Sequence, residues 1–267
     1  MSQPDERPTR IIAIANQKGG VGKTTTAINL AAAICEMGFS ALVIDLDPQG
    51  NASTGLGVDA ASRELTTFDV LLDGAKLADV AKATAIPNLS ICPANADLAS
   101  ADMELLANER RSFLLRTALR DNGRLNFDSI LIDCPPSLSL LTINALVASD
   151  SVLVPLQSEF FALEGLSQLM LTVREVRQTA NQDLRIEGVV LTMYDKRNNL
   201  SQLVENDARQ TLGELVFATI IPRNVRVSEA PSFAMPVLSY DSASKGSEAY
   251  RALAKEMTAR HRAKERA

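Results

Sequence analysis

The run Lys18-Gly19-Gly20-Val21-Gly22-Lys23-Thr24-Thr25 lies between the apolar stretch Ile11 to Ala15 and the helix-forming stretch Thr26 to Met37, and constrains this 267-residue chain more than any other feature. A strand feeding a glycine-rich turn that opens a helix gathers backbone N–H groups and the positive helix end at one point. That point suits the phosphates of a nucleotide, with Lys23 reaching the β- and γ-phosphates and Thr24 holding Mg²⁺. The pattern G-x-x-x-x-G-K-[ST] is not met literally, because Gln17 stands where its first glycine belongs and Lys18 directly precedes the displaced Gly19 and Gly20. The chain therefore carries a variant cradle with one lysine more than phosphate binding requires.

Short apolar, β-branched runs recur along the chain with helical segments between them: Ile11 to Ala15, Ala41 to Ile44, Leu89 to Cys92, Ser129 to Ile132, Ser151 to Val154, Ile186 to Leu191 and Thr219 to Ile221. Such alternation predicts an α/β fold in which a mostly parallel, twisted sheet is flanked by helices on both faces. The near-continuous Val, Ile and Leu content of several runs fits strands covered on both sides. Gly38 is placed to end the helix that follows the cradle. The segment from Asp97 to Arg120 is the longest helical candidate, with Leu98, Met103, Leu106, Phe113, Leu114 and Ala118 as a core-facing stripe.

A chain of this length can form one domain of this kind over residues 1–267, with 1–9 a flexible N-terminal segment and 258–267 a basic C-terminal tail. The first residues are polar, and no run of about 18 uncharged apolar residues occurs, so a cytoplasmic protein is expected. Three widely spaced cysteines, Cys35, Cys92 and Cys134, suggest buried thiols rather than a disulfide framework or a zinc site. A net charge of −5 excludes a surface that is basic throughout. The stretch from Lys245 to Ala267 nevertheless carries a net charge of +4, which serves either an anionic partner or a solvated helical end. His261 is the only histidine, and no Ser/His/Asp arrangement is present.

In open parallel sheets, ligands bind beyond the carboxyl ends of the strands. Asp45 and Asp47 follow the second apolar run and lead into Pro48-Gln49-Gly50-Asn51, while Asp133 closes another strand ahead of Cys134-Pro135-Pro136-Ser137. If the second strand neighbours the first, alternation directs Asp45 and Asp47 to the phosphate side. One carboxylate there can orient an attacking water, and another can hold the hydration shell of Mg²⁺.

The cradle, the segments Ile44 to Asn51 and Leu131 to Ser137, and the stretch Ile221-Pro222-Arg223-Asn224-Val225-Arg226-Val227-Ser228-Glu229-Ala230-Pro231 together resemble the ParA/Soj chromosome-partitioning ATPases of bacteria, from about Arg10 to Tyr250. The resemblance implies a P-loop NTPase fold of the deviant Walker A type, with ATP and Mg²⁺ as ligands and a homodimer that sandwiches two ATP molecules. In that scheme Lys18 reaches the partner's nucleotide in trans, Lys23 serves its own, and Asp47 positions the water. Gly19, Gly20, Val21, Gly22, Lys23, Thr24 and Thr25 contact phosphates, while Thr24, Asp45 and Asp133 support the metal. Pro222 and Asn224 look like part of the adenine pocket, and Met193 is either a further base contact or an ordinary core methionine.

The resemblance further implies binding of the ATP dimer to nonspecific double-stranded DNA, through candidates Lys196, Arg197, Arg223, Arg226 and Lys245. It implies slow hydrolysis, on the order of 10⁻⁴ to 10⁻² s⁻¹ by analogy with unassisted P-loop enzymes. A ParB-like partner would accelerate it, and the protein would associate with the nucleoid to segregate chromosomes. A ParA-like protein that positions plasmid or protein cargo is the main alternative. A MinD-like membrane ATPase shares the architecture but would need an amphipathic C-terminal helix, and the segment Met257 to Ala267 has almost no large apolar face. No membrane partner is therefore expected. Cys92 and Cys134 do not form an iron–sulfur motif, and the clustered C-terminal tyrosines of a kinase relative are missing.

Overall fold

The structure, a computed structural model, describes residues 8–121, 126–159 and 162–265. Its centre is a seven-stranded sheet made of β1 (Arg10–Ile14), β2 (Ala41–Asp45), β3 (Lys82–Ala83), β4 (Leu89–Cys92), β5 (Ser129–Asp133), β6 (Ser151–Gln157) and β7 (Arg185–Thr192). The spatial order is β3-β4-β2-β5-β1-β6-β7. All neighbours run parallel except β3, which pairs antiparallel with β4 through two residues.

The alternation of side chains along a strand explains why both faces are apolar. In β1, Ile11 and Ala13 join one core with Leu42, Ile44, Ile130 and Ile132, while Ile12 and Ile14 join the other with Val43, Leu131 and Leu153. Helix α1 (Lys23–Glu36) covers the second face with the long C-terminal helix Lys245–Glu265, whose Tyr250, Leu253, Ala254 and Met257 are buried there. The helices Leu98–Leu105, Leu140–Ala148 and Ala162–Thr179 lie over the first face. Gly38 follows α1 with φ of 88°, the left-handed geometry expected of a residue just past a helix end.

The predicted strands are present with three exceptions in detail. The two-residue β3 carried no apolar signal, because an edge strand this short needs no buried face. The segment Thr219 to Ile221 forms no strand. Its neighbourhood makes only isolated bridges, Val189 with Val216 and Tyr194 with Pro222, and Pro222 brings no N–H for a continued ladder. Between β6 and β7 the register passes from Val152 opposite Ile186 to Leu153 opposite Gly188, so Glu187 is the extra residue of a bulge.

The long helix expected over Asp97 to Arg120 is broken. Helix Leu98–Leu105 ends, an irregular stretch follows, and winding resumes at Leu114–Arg116 and continues as a wider π turn over Thr117–Asp121. Asn108 supplies the physical reason, since its side-chain oxygen accepts the amide of Arg110 and so competes with helical bonding. Met103, still within the first helix, and Leu106, just past it, project outward, 78% and 63% exposed, whereas Leu98 is fully buried. The N-terminal segment 1–9 lies outside the described residues apart from 8 and 9. The basic C-terminal stretch is helical up to residue 265, and 266–267 lie outside the described residues.

Candidate nucleotide and metal site

The loop between β1 and α1 closes over the carboxyl end of the sheet. Gly20 and Gly22 adopt φ of 74° and 87°, a conformation a side chain would strain, so the glycines are required by the turn. Gly22 occupies the N-cap of α1 without a capping side chain, and no acidic residue lies in the first turn. The helix therefore presents uncapped amides and a positive end to whatever occupies the loop. Thr192, at the end of β7, donates its hydroxyl to the carbonyl of Val21 at 2.8 Å and pins the loop from the far side. The turn after β5 passes close on the near side, where a Cβ on Gly19 would lie 3.8 Å from Pro136.

Lys23 is 6% exposed and donates from Nζ to the carbonyl of Lys18 at 3.0 Å. Burial lowers its pKa, opposed by the carboxyl groups of Asp133 and Asp47, so these groups converge on one ammonium. Thr24 and Thr25 follow at the start of α1, half-buried beside the loop.

The strand-end aspartates divide into two environments. Strand β5 lies between β1 and β2, so Asp133 rather than Asp45 closes the strand next to the cradle, and the condition placed on the second strand fails. Asp45 and Asp133 are register partners, and both are fully buried. Asp45 Oδ2 accepts the amide of Ser53 at 2.8 Å and its hydroxyl at 2.6 Å, and Oδ1 accepts the amide of Asp47 at 3.2 Å. Burial pushes its pKa up to about 6 despite these bonds, with the Asp47 charge adding to the rise.

Among the described residues, Asp133 has no hydrogen-bond donor in bonding geometry on either oxygen. Burial first and the Asp45 charge second hold its pKa well above the carboxylate range, although the Thr24 hydroxyl and the Lys23 ammonium favour the charged form. A buried carboxylate without donors is costly unless a cation shares its surroundings. Asp47 is 9% exposed, and its Oδ1 accepts the amide of Gln49 at 3.0 Å, which shapes the turn before helix α2 (Asn51–Gly55).

These residues fit a nucleotide with a divalent cation. An uncapped helix start, a positive-φ glycine loop, a buried lysine, a threonine hydroxyl and an orphaned aspartate meet at one sheet edge. No group of three or more His, Cys, Asp or Glu side chains forms a metal cage among the described residues. Mg²⁺ needs none where phosphates and water complete its octahedron. Asp45, whose oxygens accept from Ser53 and Asp47, holds that turn, whereas neither oxygen of Asp133 has a donor in bonding geometry among the described residues.

The remaining predicted residues fall into three groups. Met193 is 39% exposed with φ of 52°, and its Cε would lie 3.9 Å from a Cβ on Gly22, so it sits over the cradle and is no core methionine. The bridge between Tyr194 and Pro222, with the amide of Arg223 donating to Tyr194 at 2.9 Å, brings Pro222 beside it. Asn224 caps the helix Val225–Glu229 by accepting the amide of Val227 at 3.3 Å, which leaves its side-chain NH₂ uncommitted to the cap.

Among the basic candidates, Arg197 is bound by Asp195, and Arg226 by Glu229 at 2.9 Å and Asp241 at 3.2 Å. Lys196, Arg223 and Lys245 are exposed and have no ion pair among the described residues. Lys18 is paired with Glu159 of the same chain at 2.6 Å. Ser53, Thr192 and Glu159 are the supporting residues that sequence reasoning missed. Ser53 follows the Asp47-Pro48-Gln49-Gly50-Asn51 run closely enough to have been suspected, while nothing local marks the other two.

A family model described as an AAA domain matches residues 9–186. The chain is 55% identical over 258 residues to the chromosome partitioning protein ParA of Caulobacter vibrioides, covering 96% of each sequence. It is 52% identical over 250 residues to the sporulation initiation inhibitor protein Soj of Bacillus subtilis, covering 94% of this chain and 98% of that protein. Among solved structures, one described as cobyrinic acid a,c-diamide synthase from Mycobacterium smegmatis with bound ADP and magnesium superposes with a TM-score of 0.80 at 39% identity, covering 92% of this chain and 93% of that one.

Proposed function

The chain belongs to the ParA/Soj family of chromosome-partitioning ATPases, and from that premise we propose that it works as an ATP-dependent dimerisation switch on DNA. It is an ATPase with ATP and Mg²⁺ as ligands. The observation that carries the mechanistic reading is the convergence of the cradle, Lys23, Thr24 and the orphaned Asp133 at one sheet edge.

Mg²⁺, when bound, would supply charge neutralisation at the phosphates. Thr24 would offer its hydroxyl to that ion, and Asp133 would hold the ion's water shell. The amides of Gly19 to Thr25 and the positive end of α1 bind the phosphates, and Lys23 swings from the Lys18 carbonyl to the β/γ-phosphate oxygens. Asp47, at the end of a turn fixed through Asp45 and Ser53, orients the attacking water and takes its proton. Met193, Pro222 and Asn224 frame the base. Lys18 of each protomer reaches the partner's nucleotide, so the charge that stabilises the reaction arrives only on dimerisation.

The dimer doubles the positive groups presented to a duplex, and phosphate contacts need no base-reading element. Lys196, Arg223 and Lys245 are the cations available for this role. A ParB-like partner accelerates hydrolysis and releases the protein from the nucleoid, which moves the chromosome. Against a membrane-bound role stands the C-terminal helix, whose apolar residues Tyr250, Leu253, Ala254 and Met257 are spent on the core. No described helix is long and apolar enough to cross a membrane.

Co-sedimentation with nonspecific duplex DNA, and separately with anionic vesicles, in ADP and in ATP tests the reading. Pelleting with DNA in ATP alone is expected. Pelleting with vesicles and not with DNA would overturn it in favour of a membrane ATPase.

A further inference from the structure

Lys18 is engaged at three atoms within its own protomer. Its amide donates to Asn16 Oδ1 at 3.1 Å, its carbonyl accepts from Lys23, and its ammonium pairs with Glu159 Oε2 at 2.6 Å. Asn16 in turn donates to the carbonyl of Pro155 at 2.7 Å, so the Lys18 backbone is stapled to β6. The other oxygen of Glu159 accepts from Gln157 at 2.5 Å. The backbone is thus clamped, and only the Lys18 side chain is free to be redirected.

We propose that Glu159 is a positioning residue that parks Lys18 in the monomer, so that this ion pair competes with the lysine's role in trans and sets the threshold for dimerisation. The proposal rests on the trans role of Lys18 given above. Its chemistry is that of an exchangeable latch. The two side chains are 37% and 48% exposed, so water screens the pair and replaces it cheaply when it opens. Glu159 is not stranded on opening, because Gln157 and solvent remain to solvate it. An ammonium that leaves this single carboxylate for a triphosphate exchanges one negative charge for several. The latch therefore opens when a partner's nucleotide is in reach and closes when it is not.

The test is E159Q, which removes the charge and keeps the shape. Sedimentation velocity with a nonhydrolysable ATP analogue and Mg²⁺ reads the dimer constant, and competitive acylation of the analogue-free monomer, followed by mass spectrometry, reads the Lys18 amine against Lys196 in the same sample. An exposed ion pair is worth a factor of roughly 1.4 to 5. One latch opens in each protomer, so E159Q should tighten the dimer about two- to thirtyfold and accelerate Lys18 acylation relative to Lys196.

A dimer constant that is unchanged or weaker would overturn the latch, the weaker case making Glu159 an interface residue that holds the partner. Tighter dimers without faster acylation would also overturn it, leaving only a general loss of negative charge. K18A separates the two layers. Wild-type dimerisation by K18A would remove the trans reading itself, whereas loss of dimers in K18A with no gain in E159Q would sink the latch alone.

Discussion

Asp45 and Asp133 face each other across neighbouring strands, are chemically identical, and play different parts because their donors differ. Ser53 and the Asp47 amide saturate Asp45, and no described residue saturates Asp133. Asp47 lies beyond the strand, where the turn rather than the pleat aims it. Replacing Asp47 with Ala should leave ATP binding and DNA retention intact while lowering kcat about 100-fold or more, since loss of a positioned base removes that order of rate. Lys23→Ala should abolish the nucleotide response altogether. Single-turnover hydrolysis alongside nucleotide binding separates the two, and normal turnover by the Asp47 variant would contradict its role. The basic residues sort in the same way. Arg223→Ala should weaken DNA binding and reduce the salt slope by about 0.9 for each phosphate that is no longer neutralised, with ATP-dependent dimerisation unchanged. Arg226→Ala should change binding little, because Glu229 and Asp241 already neutralise that guanidinium.

Strands and turns carry the next level of argument. The bulge at Glu187 lets β7 keep its apolar alternation against β6 while turning one carboxylate inward. Gly188 beside it is required by contact: a Cβ there would lie 2.5 Å from the Phe217 ring and 2.8 Å from the Leu215 carbonyl. Backbone cannot yield as a flexible side chain can. Gly188→Ala should therefore destabilise by about 1–3 kcal/mol, a fall of roughly 2–12 °C in Tm by calorimetry. An unchanged Tm would mean that the segment after the helix Asn199–Leu212 relaxes freely. The neighbouring Met193 shows a different sort of constraint, a left-handed backbone at the edge of the cradle. Such strain outside glycine persists where surrounding contacts impose it.

At the scale of the whole molecule, the C-terminal helix is tied to the opposite end of the sheet from the cradle by a buried polar cluster. Glu187 Oε1 lies 2.6 Å from His261 Nε2, and Oε2 accepts from Ser151 at 2.8 Å and pairs with Arg10 at 2.5 Å. Burial alone would raise the pKa of Glu187. The His261 hydrogen bond and the charges of Arg10 and His261 outweigh it, with help from Ser151, and hold the carboxyl at about 2 against an ordinary 4.5. Because the folded value is depressed, this stabilisation is present above the unfolded pKa and is lost as pH falls from about 4.5 toward 2. A shift of this size corresponds to roughly 3 kcal/mol. Urea denaturation across that range should show a steeper loss for the wild type than for Glu187→Gln. Parallel curves would remove the cluster from the stability of the fold.

What the sequence determined by itself was whatever depends on neighbours along the chain. The glycine loop between an apolar run and a helix, the aspartates that end two strands, and the apolar alternation that demands cover on both faces are all local patterns, legible because period and spacing are written in consecutive residues. The broken helix after Leu105 escaped that reading because one asparagine overrode a plausible stripe. Tertiary structure alone decided which strands became neighbours. Sheet order puts β5 between β1 and β2, gives Asp133 the place beside the cradle and leaves Asp45 to hold the turn. It also brings Glu159 to Lys18 across 141 positions and Thr192 to Val21 across 171. Contacts of such separation depend on how layers pack around a shared core, and no local pattern of residue types encodes them.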